Sequence, residues 1–166
     1  MRRAIVFYSF EGNTREAAEK IAGILEADLI EIKPVKEIPE FGPAKMMAGG
    51  GKALFGFGSA VFPVETDLST YDELILGTPV WAGRPNPYLM NFFKPTQFKE
   101  KVTAAFTLSA SGNNKSCVKT LRKKFPNIRY DVSLSDRVGK GADNNEDRIG
   151  RFTRDILTPS DKELKE

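Results

Sequence analysis

The chain has 166 residues, 40% of them hydrophobic and 28% charged, an ordinary balance for one globular domain of about 50 to 250 residues. It contains no histidine, one cysteine and a formal net charge of only +3. Ser-His-Asp and Cys-His catalysis, histidine-ligated zinc and an intrachain disulfide are therefore excluded, and the weak, dispersed charge does not point to nucleic acid. No run of about 18 apolar residues offers a membrane-spanning helix. Met1-Arg2-Arg3 leads straight into a short apolar run, not a signal peptide, so a cytoplasmic protein is expected.

Residues 4–8 are apolar and partly β-branched, as suits a buried parallel strand. Ser9-Phe10-Glu11-Gly12-Asn13-Thr14 follows, then a helical pattern with Ala17, Ile21 and Leu25 in step. Asn13 or Thr14 can cap this helix, with Glu16 completing a capping box. A second strand is expected over 29–32. The stretch 33–63 is irregular: 44–54 has helical character weakened by Gly49-Gly50-Gly51, and Phe55, Phe57 and Phe62 are available for packing. A third strand, 74–78, ends at Pro79. Asn86-Pro87 opens a short helix, asparagine as the cap and proline at the first helical position.

A fourth strand covers 102–108. The helix after it, 115–125, puts Cys117, Leu121 and Phe125 on one face, and Pro126 stops it. The fifth strand is 128–134. Asp143 and Glu146 can box the start of a last helix that turns Ile149, Phe152 and Ile156 inward. Residues 1–157 thus read as one domain and 158–166 as a polar tail. Strand and helix alternate throughout, which predicts an α/β fold with a parallel sheet and helices on both faces.

In an open α/β sheet, ligands bind beyond the carboxyl ends of the strands, where the strand order reverses. Three loops lie there. The first, residues 9–14, combines small and hydroxyl residues with a glycine and runs into a helix start, which suits a phosphate. The second, Thr78-Pro79-Val80-Trp81-Ala82-Gly83-Arg84-Pro85-Asn86-Pro87, holds the only tryptophan, stiffened by prolines. The third, Ser109-Ala110-Ser111-Gly112-Asn113-Asn114, is small and polar. Together they describe a site for a flat ring with a phosphate tail. Plainer readings stay open: a capped helix start for 9–14, a core position for Trp81, a packing role for Cys117, and a solvated helix face for Lys115, Lys119, Arg122, Lys123 and Lys124.

Other nucleotide motifs fail. Around Gly49-Gly50-Gly51-Lys52-Ala53, Met46 and Ala53 stand where a Walker loop needs glycine and a hydroxyl. Gly56-Phe57-Gly58 has Val61 in place of a third glycine and does not follow the first strand. A receiver domain needs acidic residues at the ends of the first and third strands, where this chain has Ser9 and Thr78.

Over most of its length the sequence resembles the flavodoxin family. Residues 9–14 are similar to the family's phosphate turn. Ile75-Leu76-Gly77-Thr78-Pro79-Val80-Trp81-Ala82-Gly83 is similar to a flavin-facing loop of small bacterial and archaeal members, and 45–57 to a connector in that group. The resemblance implies a flavodoxin-like three-layer sandwich with a five-stranded parallel sheet of order 2-1-3-4-5. It implies FMN as cofactor, held by Ser9, Phe10, Glu11, Gly12, Asn13, Thr14, Thr78, Pro79, Val80, Trp81, Ala82, Gly83, Ser109, Ala110, Ser111 and Gly112. It implies no catalytic side chain and no metal. Its function would be electron transfer with a redox partner protein, or, as the alternative, NAD(P)H-dependent reduction of flavin or quinone. Neither a nucleic acid nor a membrane is an expected partner, and a homodimer is compatible with it. Glu11 departs from the family's usual hydroxyl; its carboxylate is expected to turn outward, with Arg15 compensating. Electron carriers of this family are usually acidic, whereas this chain has a pI ≈ 8.9.

Overall fold

The computed structural model describes residues 1–36, 60–94, 96–137 and 141–158. The expected helix at 44–54, the phenylalanines at 55 and 57 and nearly all of the polar tail lie outside them.

Short apolar runs become strands. They are β1 (Arg3–Phe7), β2 (Asp28–Glu31), β3 (Glu73–Trp81), a two-residue β4 (Arg84–Pro85), β5 (Val102–Ser109) and β6 (Tyr130–Ser135). The path is β2-β1-β3-β5-β6, all parallel, with β4 antiparallel on β3. Setting β4 aside, this is the expected 2-1-3-4-5 order, which reverses between β1 and β3.

The helices are α1 (Asn13–Leu25), α2 (Pro87–Phe92), α3 (Lys115–Lys124) and α4 (Asn145–Leu157). Each buries an apolar stripe, and the sheet separates two cores. On one face Ile5, Phe7, Ile75 and Phe106 meet Ile21 and Leu25 of α1 and Ile149, Phe152 and Ile156 of α4. On the other, Val6, Leu74 and Leu76 meet Leu89 of α2, Cys117 and Leu121 of α3, and Phe93 and Phe125. Strand residues alternate between these two cores, as the pleat requires.

Several local expectations are corrected. The start of α1 is capped by neither Asn13 nor Thr14. Gly12 is the cap residue, at φ 90°, and no side chain bonds to the cap. A left-handed glycine turns the chain into the helix one residue early, and Glu16 reaches Arg137 instead of boxing the helix start. Nor do Asp143 and Glu146 box α4. Residues 142–144 form a separate 3-10 turn, and Glu146 pairs with Lys20. β3 passes through Pro79 and continues to Trp81. β1 pairs with β3 only as far as Gly77, so the missing N–H of Pro79 costs no bond to β1. The cap at Asn86 is as expected: its Oδ1 accepts from Tyr88 N at 2.8 Å, with proline in the first turn.

At the β6 edge, side chains sit on the exposed backbone. Arg122 donates to the carbonyls of Ile128 and Arg129, Arg148 to that of Ser133, and the Asn145 amide both donates to and accepts from Ser135.

Candidate flavin site

β1, β3 and β5 end side by side, so the three loops singled out in the sequence share one edge of the sheet. In the first loop the Ser9 hydroxyl accepts from Arg15 N at 3.2 Å, and the Glu16 N–H is used by Gly12 O at 3.0 Å. Among the described residues no partner takes the backbone N–H groups of Glu11, Gly12, Asn13 or Thr14. Four unpaired amides at the positive end of a 13-residue helix make a candidate anion cradle. Glu11 is exposed, as expected for a carboxylate turned outward. Arg15 does not compensate for it: its guanidinium lies on Glu31 of β2, 2.6 Å away.

The second loop is tighter than the sequence suggests. Trp81 pairs with Arg84 across a two-residue hairpin whose central residues, Ala82 and Gly83, have φ 50° and 74°. Positive φ at both positions is the type I′ geometry that matches the twist of the flanking strands. Thr78 is buried, and its hydroxyl accepts the Asn86 N–H at 2.9 Å, tying the far end of the loop back to β3. Pro79 and Val80 are half-buried, whereas Ala82 and Gly83 are exposed at the tip.

Half-buried Trp81 is braced by three rings. Phe10 lies 6.1 Å away at 90°, Tyr8 5.9 Å away at 90°, and Tyr88 6.4 Å away at 76°. Phe10 directly precedes the four amides, so the candidate cradle and the tryptophan lie side by side. Sequence reading missed Tyr8 and Tyr88 as braces. The available signal was an aromatic directly after β1 and another just inside α2. The third loop is internally bonded: Ser109 Oγ donates to Asn114 Oδ1 at 2.6 Å, the Gly112 N–H reaches Ser109, and the Asn114 amide holds Thr107 O and Leu134 O. Ala110 and Ser111 are exposed, and Gly112 is half-buried. Cys117 is fully buried below this loop, and burial pushes its thiol up to about 12, which leaves it inert at neutral pH.

No group of three or more His, Cys, Asp or Glu side chains suited to a metal occurs among the described residues, and no helix among them is long and apolar enough to cross a membrane. The parallel sheet of this order, with helices on both faces, is a flavodoxin-like fold. A flavodoxin family model matches residues 59–140, so this part of the chain is similar to that family. Solved structures agree in fold. A protein from Bacteroides uniformis assigned as a flavoprotein aligns at a TM-score of 0.70 and 20% identity, covering 90% of this chain and 97% of that one. A flavoprotein of Lactobacillus acidophilus, in complex with FMN, gives 0.58 at 21%, covering 89% and 97%. An NAD(P)H:quinone oxidoreductase of Methanothermobacter marburgensis gives 0.53 at 14%, covering 96% and 98%.

Proposed function

We propose that this chain is an FMN-binding redox protein acting in electron transfer. The observation that supports it best is the contact between Phe10, which directly precedes the candidate anion cradle, and Trp81. It joins a phosphate-sized set of amides to an aromatic plate within one ring's reach. A single cradle without a dinucleotide glycine pattern fits one phosphate, hence FMN over FAD. The cofactor held by the Lactobacillus relative of the same fold agrees with this choice.

Bound FMN supplies reversible electron transfer; the residues of the chain fix where the ring lies. The amides of residues 11–14 hold the phosphate. Trp81, kept from rotating by Tyr8, Phe10 and Tyr88, offers a flat apolar wall and excludes water from one side of the ring. The Ala82-Gly83 tip and residues 109–112 line the remaining rim. No side chain is needed for acid–base work, in keeping with the absence of histidine.

Two measurements test this reading. Calorimetry should give tighter binding of FMN than of FAD; equal affinities would overturn the single-phosphate site. Emission from Trp81, the only tryptophan, should fall as FMN binds, and Trp81→Ala should weaken FMN by roughly 1–3 kcal/mol, as for base–aromatic stacking. Unchanged emission and affinity would return Trp81 to the core. An anaerobic addition of NADH or NADPH then separates a carrier from a nicotinamide-dependent reductase: a carrier keeps its oxidised flavin spectrum, and a reductase bleaches at turnover rates.

A further inference from the structure

Helix α3 carries Lys115, Lys119, Arg122, Lys123 and Lys124 and no acidic residue. Arg122 is held by Asp131 and by the β6 edge. The four lysines are exposed and make no ion pair among the described residues. Lys115, Lys119 and Lys123 recur every four residues, forming a stripe about 12 Å long on the side of α3 opposite buried Cys117 and Leu121.

Helix stability does not explain this stripe. Like charges four apart repel, and a cation in the first turn, where Lys115 stands, opposes the helix dipole. The stripe also begins at the candidate site. α3 starts directly after the third loop, and a Cβ on Gly83 at the hairpin tip would lie 4.0 Å from Ser116 Cβ in the first turn of α3. Arg84, exposed on the same hairpin, extends the positive surface.

We propose that the outer face of α3, from Lys115 to Lys123, is a docking surface for an acidic protein partner, which it brings to the rim of the three loops. The location at the rim rests on the flavin reading; the charge complementarity does not. A line of separated ammonium groups on an exposed helix matches an extended acidic surface better than a single phosphate, which needs donors converging on one point. α2, which shares this side of the sheet, carries no charge to interrupt it.

The test uses the full chain, with and without FMN, and poly-L-glutamate and poly-L-lysine of matched length as probes. Poly-L-glutamate should bind at low ionic strength, and most of that binding should vanish by about 200 mM salt, where the Debye length is shorter than about 8 Å. Poly-L-lysine should not bind. The triple variant Lys115→Glu, Lys119→Glu, Lys123→Glu should bind poly-L-glutamate at least tenfold more weakly. A control with the same change in net charge elsewhere (Lys33→Glu, Arg151→Glu, Arg154→Glu) should lose much less. If the triple variant fails to fold, Lys119→Glu alone, at mid-helix, should still weaken binding several-fold. No binding of poly-L-glutamate, or equal losses in variant and control, would overturn the proposal. So would saturable displacement of poly-L-glutamate by NADP+ but not NAD+, which would make the stripe a site for the 2′-phosphate. Loss of FMN binding with poly-L-glutamate binding intact would overturn the flavin reading and leave the docking surface standing.

Discussion

The two helical faces of the sheet have similar interiors and opposite exteriors. Beneath α1 and α4, and equally beneath α2 and α3, lies an apolar core. Outside, α1 carries Arg15, Glu16, Glu19 and Lys20, and α4 carries Glu146, Asp147, Arg148, Arg151, Arg154 and Asp155, signs balanced on each. Lys20 bridges Glu16 and Glu146, and Arg137 closes on Glu16. α2 and α3 together carry cations only. On the first face the charges are mixed in sign and partly paired with one another; on the second, Arg122 pairs with Asp131 and the four lysines make no ion pair among the described residues. Burial does not distinguish the two faces, whereas the balance of surface charge does.

If the cores are equivalent, Ile21→Ala on the first face and Leu121→Ala on the second should cost similar amounts, about 2–5 kcal/mol each, since both are completely buried. Urea unfolding would measure this, and a large inequality would break the comparison at its base. Next in size is Gly77→Ala. A Cβ there would sit 2.3 Å from Cζ of Phe106, so the Phe106 ring must move within the α1/α4 core, at roughly 1–3 kcal/mol. The Leu121 side should be undisturbed, as methyl chemical shifts would report.

Smaller effects separate the exteriors. The hydrogen bond from Arg137 holds the Glu16 carboxyl below its ordinary value of 4.5, and the bond to Glu146 raises Lys20 above 10.5. For Glu16 the folded form binds its proton less readily than the unfolded chain. Its contribution is therefore complete above pH 4.5 and is lost as pH falls through the depressed value; that of Lys20 is complete below 10.5 and is lost as pH rises through the raised one. Glu16→Gln should flatten the acid limb of a stability–pH curve. The smallest effect has the opposite sign: Lys115→Glu should raise stability by roughly 0.3–1 kcal/mol, since an anion in the first turn suits the helix dipole. A cation removed with a gain in stability is the mark of one kept for binding.

The strands and the inward faces of the helices were legible because they depend on patterns several residues long, such as 4–8 and 102–108, or Ile149, Phe152 and Ile156; the strand order followed only from the resemblance to the flavodoxin family. The three loops were legible because the ends of parallel strands collect on one edge. What was missed depends on one or two residues and on distant partners. The hairpin uses Ala82, a non-glycine at φ 50°, which carries no turn signature. Gly12 pre-empts Asn13 and Thr14 as cap by a single left-handed residue. Glu16, Glu146 and Arg15 fit local roles on paper, yet each is drawn to an oppositely charged side chain that sequence spacing does not reveal.

The seated side chains along β6 have a consequence for crowded solutions. An exposed strand edge ordinarily invites another chain to continue the sheet. Here an incoming strand would meet guanidinium and amide groups already placed on Ile128, Arg129, Ser133 and Ser135. Growth of one sheet across many molecules is barred on that side while α3 and α4 keep Arg122, Asn145 and Arg148 in position. Loosening either helix would expose the edge and turn a local fraying into a cause of clumping.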